Sequence, residues 1–184
     1  EAEKNGTFYR FGKLVPANID LNSGSWTILG NGDKLWNISV RCSEAKALSF
    51  YFSNFHIPSG GKLFIYSKDK KQLLGAYTEI NNNPSGIFAT QLILTDEVII
   101  EYNEYYNSGG KVSFILSDIG YAYRGIYTNN ENNNKAFGDS ESCEVNVNCS
   151  PEGDNWQNQK RGAVRVSLVS GGNMGWCSGS LINN

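Results

Sequence analysis

Four cysteines and a single histidine are the residues of this chain best suited to covalent or metal chemistry. Cys42 stands alone in the first part of the chain, whereas Cys143, Cys149 and Cys177 lie together near its end. No two cysteines have the C-x-x-C spacing of a zinc knuckle or a redox site, and His56 is far from the cluster. The spacing therefore favours disulfides formed in an oxidising compartment, and it predicts no metal or cofactor site. Cys42 is interpreted as a buried free thiol.

The single histidine limits the catalytic chemistry that the chain can offer. Hydrolysis by a nucleophilic serine needs an imidazole that accepts the proton, a carboxylate that orients the ring, and backbone donors for the oxyanion. His56 lies between Phe55 and Ile57 at the end of a predicted strand, which indicates a structural or surface histidine. The sequence therefore predicts no catalytic residue.

Aromatic side chains are frequent and allow two interpretations. A core with cross-strand aromatic pairs is favoured over a carbohydrate-stacking platform for the residues that fall on predicted strands. These residues are Trp26, Trp36, Phe50, Phe52, Phe64, Tyr66, Phe88, Tyr102 and Phe114. The better candidates for exposed stacking are Tyr105, Tyr106, Tyr121, Tyr123 and Tyr127. Glycan binding therefore stays open as an alternative.

The elements that must position these side chains are predicted to be β-strands. The chain is rich in Asn, Gly, Tyr and Phe and poor in Met, Ala and Glu, which favours pleated, turn-rich structure over helices. Short apolar–polar alternations separated by turn residues predict an all-β fold, an antiparallel β-sandwich that is jelly-roll-like. The predicted strands are Thr7–Leu14, Trp26–Leu29, Lys34–Arg41, Ala47–Phe55, Lys62–Tyr66, Leu73–Tyr77, Gly86–Leu94, Glu97–Tyr102, Lys111–Ser117 and Ile119–Tyr127.

The segments between these strands read as turns. Asn31–Asp33, Asp69 and Asn81–Asn83 carry side chains that hydrogen-bond their own backbone, and this explains them better than calcium ligation does. No stretch keeps a 3.6-residue apolar period for three turns, so no long helix is expected.

The composition changes at Thr128. Residues 129–135 read NNENNNK and offer no side chain to bury, which predicts a linker. Beyond it, Arg161–Val169 and Trp176–Ile182 alternate again, but two strands are too few for an independent core. The predicted organisation is a sandwich over 1–128, a linker over 129–142 and a further fragment over 143–184.

Charge and hydropathy exclude two classes of partner. The formal net charge of −2 and the pI near 5.5 provide no field that would attract nucleic acid or an anionic membrane. No apolar run reaches the ~18–20 residues that are needed to cross a bilayer. The first residues, Glu1–Lys4, do not form a signal peptide.

The end of the chain carries four motifs in a fixed order. They are Cys143-Glu-Val-Asn-Val-Asn-Cys149, Pro151-Glu-Gly-Asp154, Arg161-Gly-Ala-Val164 and Cys177-Ser-Gly-Ser-Leu-Ile-Asn-Asn184. This series resembles the start of the mature domain of bacterial lysyl-endopeptidase-type serine proteases, a secreted branch of the trypsin-like clan, over about residues 138–184. The upstream part looks, more loosely, like the propeptide region of that family. Ser150, inserted before Pro151, and Gly162 depart from the family pattern.

The resemblance implies a secreted bacterial serine-protease precursor, with a pro-domain, a cleavable linker and the first strands of a truncated trypsin-like β-barrel. Cys177–Ile182 would be the barrel strand before the loop that bears the catalytic histidine, so this chain alone is expected to hydrolyse nothing. The resemblance makes Cys143, Cys149 and Cys177 disulfide candidates whose partners lie farther along the protease domain.

The resemblance also implies a processing region, formed by Lys135, Ala136, Phe137 and Gly138. Gly138-Asp139-Ser140 mimics the sequence around a trypsin-like nucleophile, but Glu141 stands where glycine is usual, and the tripeptide precedes the barrel strands. It is interpreted as lying near the new N-terminus after processing, not as a catalytic motif.

The implied role of the pro-domain is to assist folding of the protease or to mask its cleft, since barrels rich in long-range strand pairing fold slowly. The expected partners are the remainder of its own protease domain and, through the parent, protein substrates. No nucleic acid partner and no membrane span are expected. The alternative function is a non-catalytic sandwich that binds glycan or a cell-surface protein.

Overall fold

A computed structural model describes residues 10–124 and 150–182 of the chain. The chain divides into two compact units. The larger unit comprises residues 11–126 together with 172–174, and the smaller unit comprises residues 1–10, 127–171 and 175–184.

The described part of the larger unit contains nine complete strands and one short 3₁₀ turn at Glu79–Asn81. The strands are β1 (Arg10–Asp20), β2 (Ser25–Ile28), β3 (Lys34–Arg41), β4 (Ala47–His56), β5 (Lys62–Ser67), β6 (Leu73–Tyr77), β7 (Phe88–Ala89), β8 (Glu97–Glu104) and β9 (Ser113–Ala122). Within this unit one sheet has the order β1-β9-β4-β7, and the other has the order β2-β3-β8-β5-β6. The neighbouring strands pair antiparallel.

This strand order is that of a jelly roll, with β2 as an additional edge strand beside β3. The two sheets enclose one core, because β3, β5 and β8 from one sheet and β4 and β9 from the other contribute buried side chains to the same cluster. The prediction of an all-β, jelly-roll-like sandwich of antiparallel strands is confirmed.

Strands β3 and β8 show how alternation places side chains in the core. They pair residue for residue from Lys34 opposite Glu104 to Arg41 opposite Glu97. Directly opposite residues of an antiparallel pair point to the same face, so Trp36 and Tyr102 both face inward and are buried. The predicted aromatic core is confirmed for the buried members, which are Trp36, Phe50, Phe52, Tyr102 and Phe114. Phe64, Tyr66 and Phe88 are only partly buried, and Trp26 lies exposed on the edge strand.

Four predicted strands differ clearly from the structure. Of the predicted Gly86–Leu94 strand, β7 keeps two residues, because Thr90 interrupts the ladder: its Oγ1 accepts a hydrogen bond from the Phe50 amide at 3.0 Å. The two strands predicted over 111–127 form a single strand, β9, up to Ala122. β1 continues to Asp20 through a register shift between Pro16 and Ile19.

The loops use the turn chemistry that the sequence predicts. In the β2–β3 loop the Asn31 Oδ1 accepts from the Asp33 amide at 3.1 Å, and the Asn31 Nδ2 donates to the Asp33 carboxylate at 2.8 Å. Asn82 lies at the end of the 3₁₀ turn and bonds both backbone groups of Ile57. These side chains provide hydrogen-bond partners for backbone amide and carbonyl groups of the loops.

The described part of the smaller unit contains a 3₁₀ turn at Asp154–Trp156, helix α1 (Gln157–Gly162) and strand β10 (Ala163–Ser170). Strand β11 (Asn173–Ser180) begins in the larger unit and continues in the smaller one. Gly171 and Gly172 join β10 to β11, with φ of 55° and 73°. Positive φ at both positions is what a two-residue hairpin turn of the favoured type requires. None of the helices in the described ranges has the length and apolar character needed to cross a membrane.

Candidate functional site

The structure describes only some of the residues that the sequence marks for processing and disulfide formation. Lys135, Ala136, Phe137 and Gly138 lie outside the described residues, as do Cys143 and Cys149. Cys177 lies on β11 with an exposed, free thiol. Its role as a disulfide candidate therefore stays a prediction.

The two remaining candidates for chemistry in the sandwich are placed separately. Cys42 carries a free, half-buried thiol, and burial, with the Asp96 carboxylate as the second cause, raises its pKa. His56 ends β4 with an exposed side chain, and its Nδ1 lies 3.4 Å from the Asn82 amide nitrogen. Its exposed position fits the surface form of the structural-or-surface interpretation, and the expectation that it has no catalytic role stays a prediction. Nothing in the described geometry joins it to a nucleophile.

The hairpin of β10 and β11 is held by local contacts. The Arg165 guanidinium lies 5.0 Å from the centre of the Trp176 ring, and the Leu181 amide donates to the Gly162 carbonyl at 2.8 Å. Gly179 lies close under Val164 and Val166, since a Cβ at Gly179 would stand 3.1–3.2 Å from their methyl groups. The hairpin therefore has a defined internal geometry.

The apolar side chains of the smaller unit are nevertheless poorly buried. None of its described apolar side chains is buried, and five large ones are clearly exposed: Trp156, Val166, Val169, Leu181 and Ile182. Ile182 is 86% exposed. A concentration of exposed apolar side chains marks a surface for association. The hairpin and the residues that flank it, Trp156, Leu181 and Ile182, are the first candidate site, an association surface.

A second candidate site is a groove of about 390 Å³ at one end of the β2-β3-β8-β5-β6 sheet. Pairing of β5 with β8 places Lys62 opposite Asn103, and Phe64 opposite Glu101, on the outer face. The Lys62 Nζ lies 3.3 Å from the Tyr105 hydroxyl and 5.5 Å from the centre of its ring. The groove therefore combines an exposed aromatic ring with a cation and an amide.

The carboxylates of the groove are held by neighbouring side chains. Glu104 pairs with Lys34 at 2.8 Å. Glu101 accepts a hydrogen bond from the Tyr66 hydroxyl at 2.9 Å and another from the Asn103 amide at 2.9 Å. Among the described cations of the groove, Lys62 has no carboxylate partner, so it is the positive charge available to a ligand.

The sequence suggested exposed tyrosines as stacking residues, and the structure separates them. Tyr105, Tyr106 and Tyr123 are exposed, whereas Tyr121 is partly buried and its hydroxyl donates to the Ser43 carbonyl at 3.1 Å. Tyr127 lies outside the described residues. Of the tyrosines that the structure describes, Tyr105 alone lines the groove. No sequence motif marked Lys62 or Asn103, since only the pairing of β5 with β8 brings them to Tyr105.

Tyr66 makes the stability of this sheet sensitive to alkaline pH. Burial, with the Glu101 carboxylate as the second cause, raises the pKa of Tyr66 to about 12 in the folded protein. The neutral phenol is thus favoured by folding. Its contribution is complete below the unfolded pKa near ~10 and is lost as pH rises towards about 12.

We expect the stability difference between wild type and Tyr66→Phe to change between pH 9 and pH 12. Wild type should lose stability relative to the variant over this range, because only wild type carries the phenol at position 66. Urea unfolding at fixed pH values measures the difference, with Tyr106→Phe at an exposed position as the matched control. A difference that stays constant with pH contradicts the assigned shift.

Comparison with known families relates the end of the chain to a protease family. Residues 137–184 match the family described as "Lysyl endopeptidase, C-terminal domain". The match includes the hairpin of β10 and β11 and does not extend into β1–β9. No solved structure matches the chain significantly. The predicted relation of this segment to lysyl-endopeptidase-type proteases is confirmed.

Proposed function

We propose that this chain is the N-terminal part of a secreted bacterial serine-endopeptidase precursor. Residues 1–128 form the pro-domain, 129–142 the cleavable linker, and 143–184 the first strands of a trypsin-like protease domain. The observation that carries the proposal is the family match over residues 137–184, a segment whose described part exposes Trp156, Val166, Val169, Leu181 and Ile182. On this proposal the remainder of the protease domain covers them.

The sandwich then acts on the folding or the activity of the protease. Strand pairing in a trypsin-like barrel is long-range and slow to form, so a folded neighbour that captures early strands would raise the yield of folding. The sandwich is suited to this because its own core is complete, with large buried side chains from both sheets. On its own the chain hydrolyses nothing, since the catalytic set belongs to the protease domain.

A refolding experiment tests this role. The protease domain is refolded from denaturant with and without added residues 1–134, and hydrolysis of a lysyl peptide substrate is measured. We expect more recovered activity with the sandwich, or inhibition of the folded enzyme, and neither effect from the Trp36→Ala sandwich. No change in recovery and no inhibition would contradict the proposal.

Processing and disulfides provide an independent test in the full-length precursor. We propose cleavage near Lys135, Ala136, Phe137 and Gly138, and pairing of Cys143, Cys149 and Cys177 with cysteines farther along the protease domain. The exposed thiol of Cys177 is accessible to such a partner. N-terminal sequencing and peptide mapping under non-reducing conditions measure both features. Cleavage well outside residues 129–142 would contradict the proposed processing region. Disulfides among Cys143, Cys149 and Cys177 themselves would contradict the proposed pairing.

The groove favours a second candidate function, which is glycan binding by the sandwich. An exposed aromatic ring beside a lysine and an amide is an arrangement that binds sugars by stacking and hydrogen bonds. Binding of the full chain to a glycan array tests it. Tyr105→Ala should abolish binding, whereas Tyr106→Ala, outside the groove, should not. Equal binding by wild type and Tyr105→Ala would remove the groove as a glycan site.

A further inference from the structure

Residues 172–174 lie within the protease-matched segment but belong structurally to the larger unit. The Gly172 carbonyl accepts a hydrogen bond from the Leu14 amide on β1 at 2.8 Å. Met174 is completely buried, at 0% exposure. No other large apolar side chain between residues 150 and 182 is buried. Met174 is therefore the buried large side chain of the described segment, and Gly172 provides its backbone bond to β1.

Two glycines form the notch that receives Met174. In the pairing of β1 with β9, Gly12 lies opposite Ala122, and Gly120 lies opposite Leu14. Gly12 and Gly120 are thus diagonal neighbours on one face of the sheet. A Cβ at Gly120 would stand 2.8 Å from the Met174 Sδ and Cε, and one at Gly12 would stand 3.2 Å from the Sδ. The absence of both side chains leaves the space that Met174 fills.

The contacts of Gly172 and Met174 with β1 and β9 resemble the binding of an added β-strand to the edge of a sheet. A main-chain hydrogen bond aligns the added segment, and a pocket for one side chain selects its register. The Leu14–Gly172 bond supplies the first element, and the glycine notch supplies the second. A flexible, unbranched methionine suits such an irregular gap.

We infer that Met174 anchors the start of β11 to the sandwich, and that this anchor keeps residues 11–126 bound to the protease segment after the linker is cut. The inference rests on the proposed function only for the cleavage of the linker. The partner of the sandwich is thus a short strand with one buried methionine, supplied by the same chain. The anchor also fixes which hairpin of the protease segment the sandwich captures.

The anchor is tested in the full chain with a recognition site for a sequence-specific protease inserted between Asn133 and Asn134. After complete cleavage, size-exclusion chromatography at decreasing concentration shows whether the two fragments elute together. We expect co-elution for the wild-type sequence and for Met174→Leu, which conserves volume. Met174→Asp should weaken the association by more than ~10-fold, because it places a charge in an apolar notch.

Separation of the wild-type fragments at every concentration would overturn the inference, as would equal association by Met174→Asp. Hydrogen exchange in the uncut chain provides a second measurement should Met174→Asp fail to fold. There, Met174→Ala should speed exchange of the Leu14 amide by more than ~10-fold while the amides of β3 and β8 keep their protection. Unchanged exchange at Leu14 would overturn the inference.

The outcomes separate this inference from the folding role. If the fragments co-elute but the sandwich does not change the recovered protease activity, the anchor is supported and the folding role is rejected. If the fragments separate but the sandwich raises the recovered protease activity, the anchor is rejected and the folding role is supported.

Discussion

Replacing Trp36 with alanine is expected to lower the free energy of unfolding of the sandwich by about 3–5 kcal/mol. The side chain is 0% exposed, and its Nε1 donates to the Leu21 carbonyl at 2.9 Å. Its ring lies edge-on to Phe114, with centroids 5.3 Å apart. The substitution removes these contacts and leaves a cavity between the two sheets. Since domains of this size are stable by about 5–15 kcal/mol, the loss would be a large share of the total.

Urea unfolding monitored by far-ultraviolet circular dichroism measures this loss without depending on tryptophan fluorescence. Trp26→Ala is the matched control, because Trp26 lies directly opposite Trp36 on β2 but is 41% exposed. We expect about 1 kcal/mol for this variant, which deletes the same atoms at a partly solvated site. Equal losses from the two variants would contradict the assignment of Trp36 to the centre of the core.

Replacing Gly120 with alanine is expected to cost about 1–3 kcal/mol through overpacking. The added Cβ would overlap the Ser49 Oγ and would stand 2.8 Å from Met174, so a neighbour must move. Ser49 is itself buried, and the close packing of β4 against β9 leaves it little room. The expected loss in the free energy of unfolding therefore comes from steric overlap and exceeds the small difference in strand propensity between glycine and alanine.

Gly109→Ala is the control for this variant, because a Cβ there meets no heavy atom within 4 Å. Its effect should stay within about 0.5 kcal/mol. Adding Ser49→Ala to Gly120→Ala should recover part of the loss, since it removes the closest contact and a buried hydroxyl that has no partner among the described residues. Thermal and urea midpoints measure both effects. The overpacking account is wrong if Gly120→Ala is as harmless as Gly109→Ala.

Local pattern was sufficient to predict most of the sandwich. The alternation in Lys34–Arg41 and the short apolar run Leu73–Tyr77 between turn residues predict both strands with the bounds that the structure shows. Period-two alternation is a property of consecutive residues, so it can be read without knowledge of the partner strand. The prediction was wrong for the β7 region because the Thr90 hydroxyl, and not a backbone carbonyl, accepts the hydrogen bond of the Phe50 amide. This bond joins residues forty positions apart, so the local pattern does not reveal it.

The sequence by itself determined the all-β class, the aromatic core and the relation of the last segment to a protease family, because strand alternation and ordered motifs are written in neighbouring residues. Only the tertiary structure decided where Lys62, Asn103 and Tyr105 meet and that Met174 is enclosed by the sandwich. The groove arises from the pairing of β5 with β8, and the methionine notch from two glycines more than one hundred residues apart. Such long-range pairings depend on the packing of the whole sheet, which no single stretch of sequence specifies.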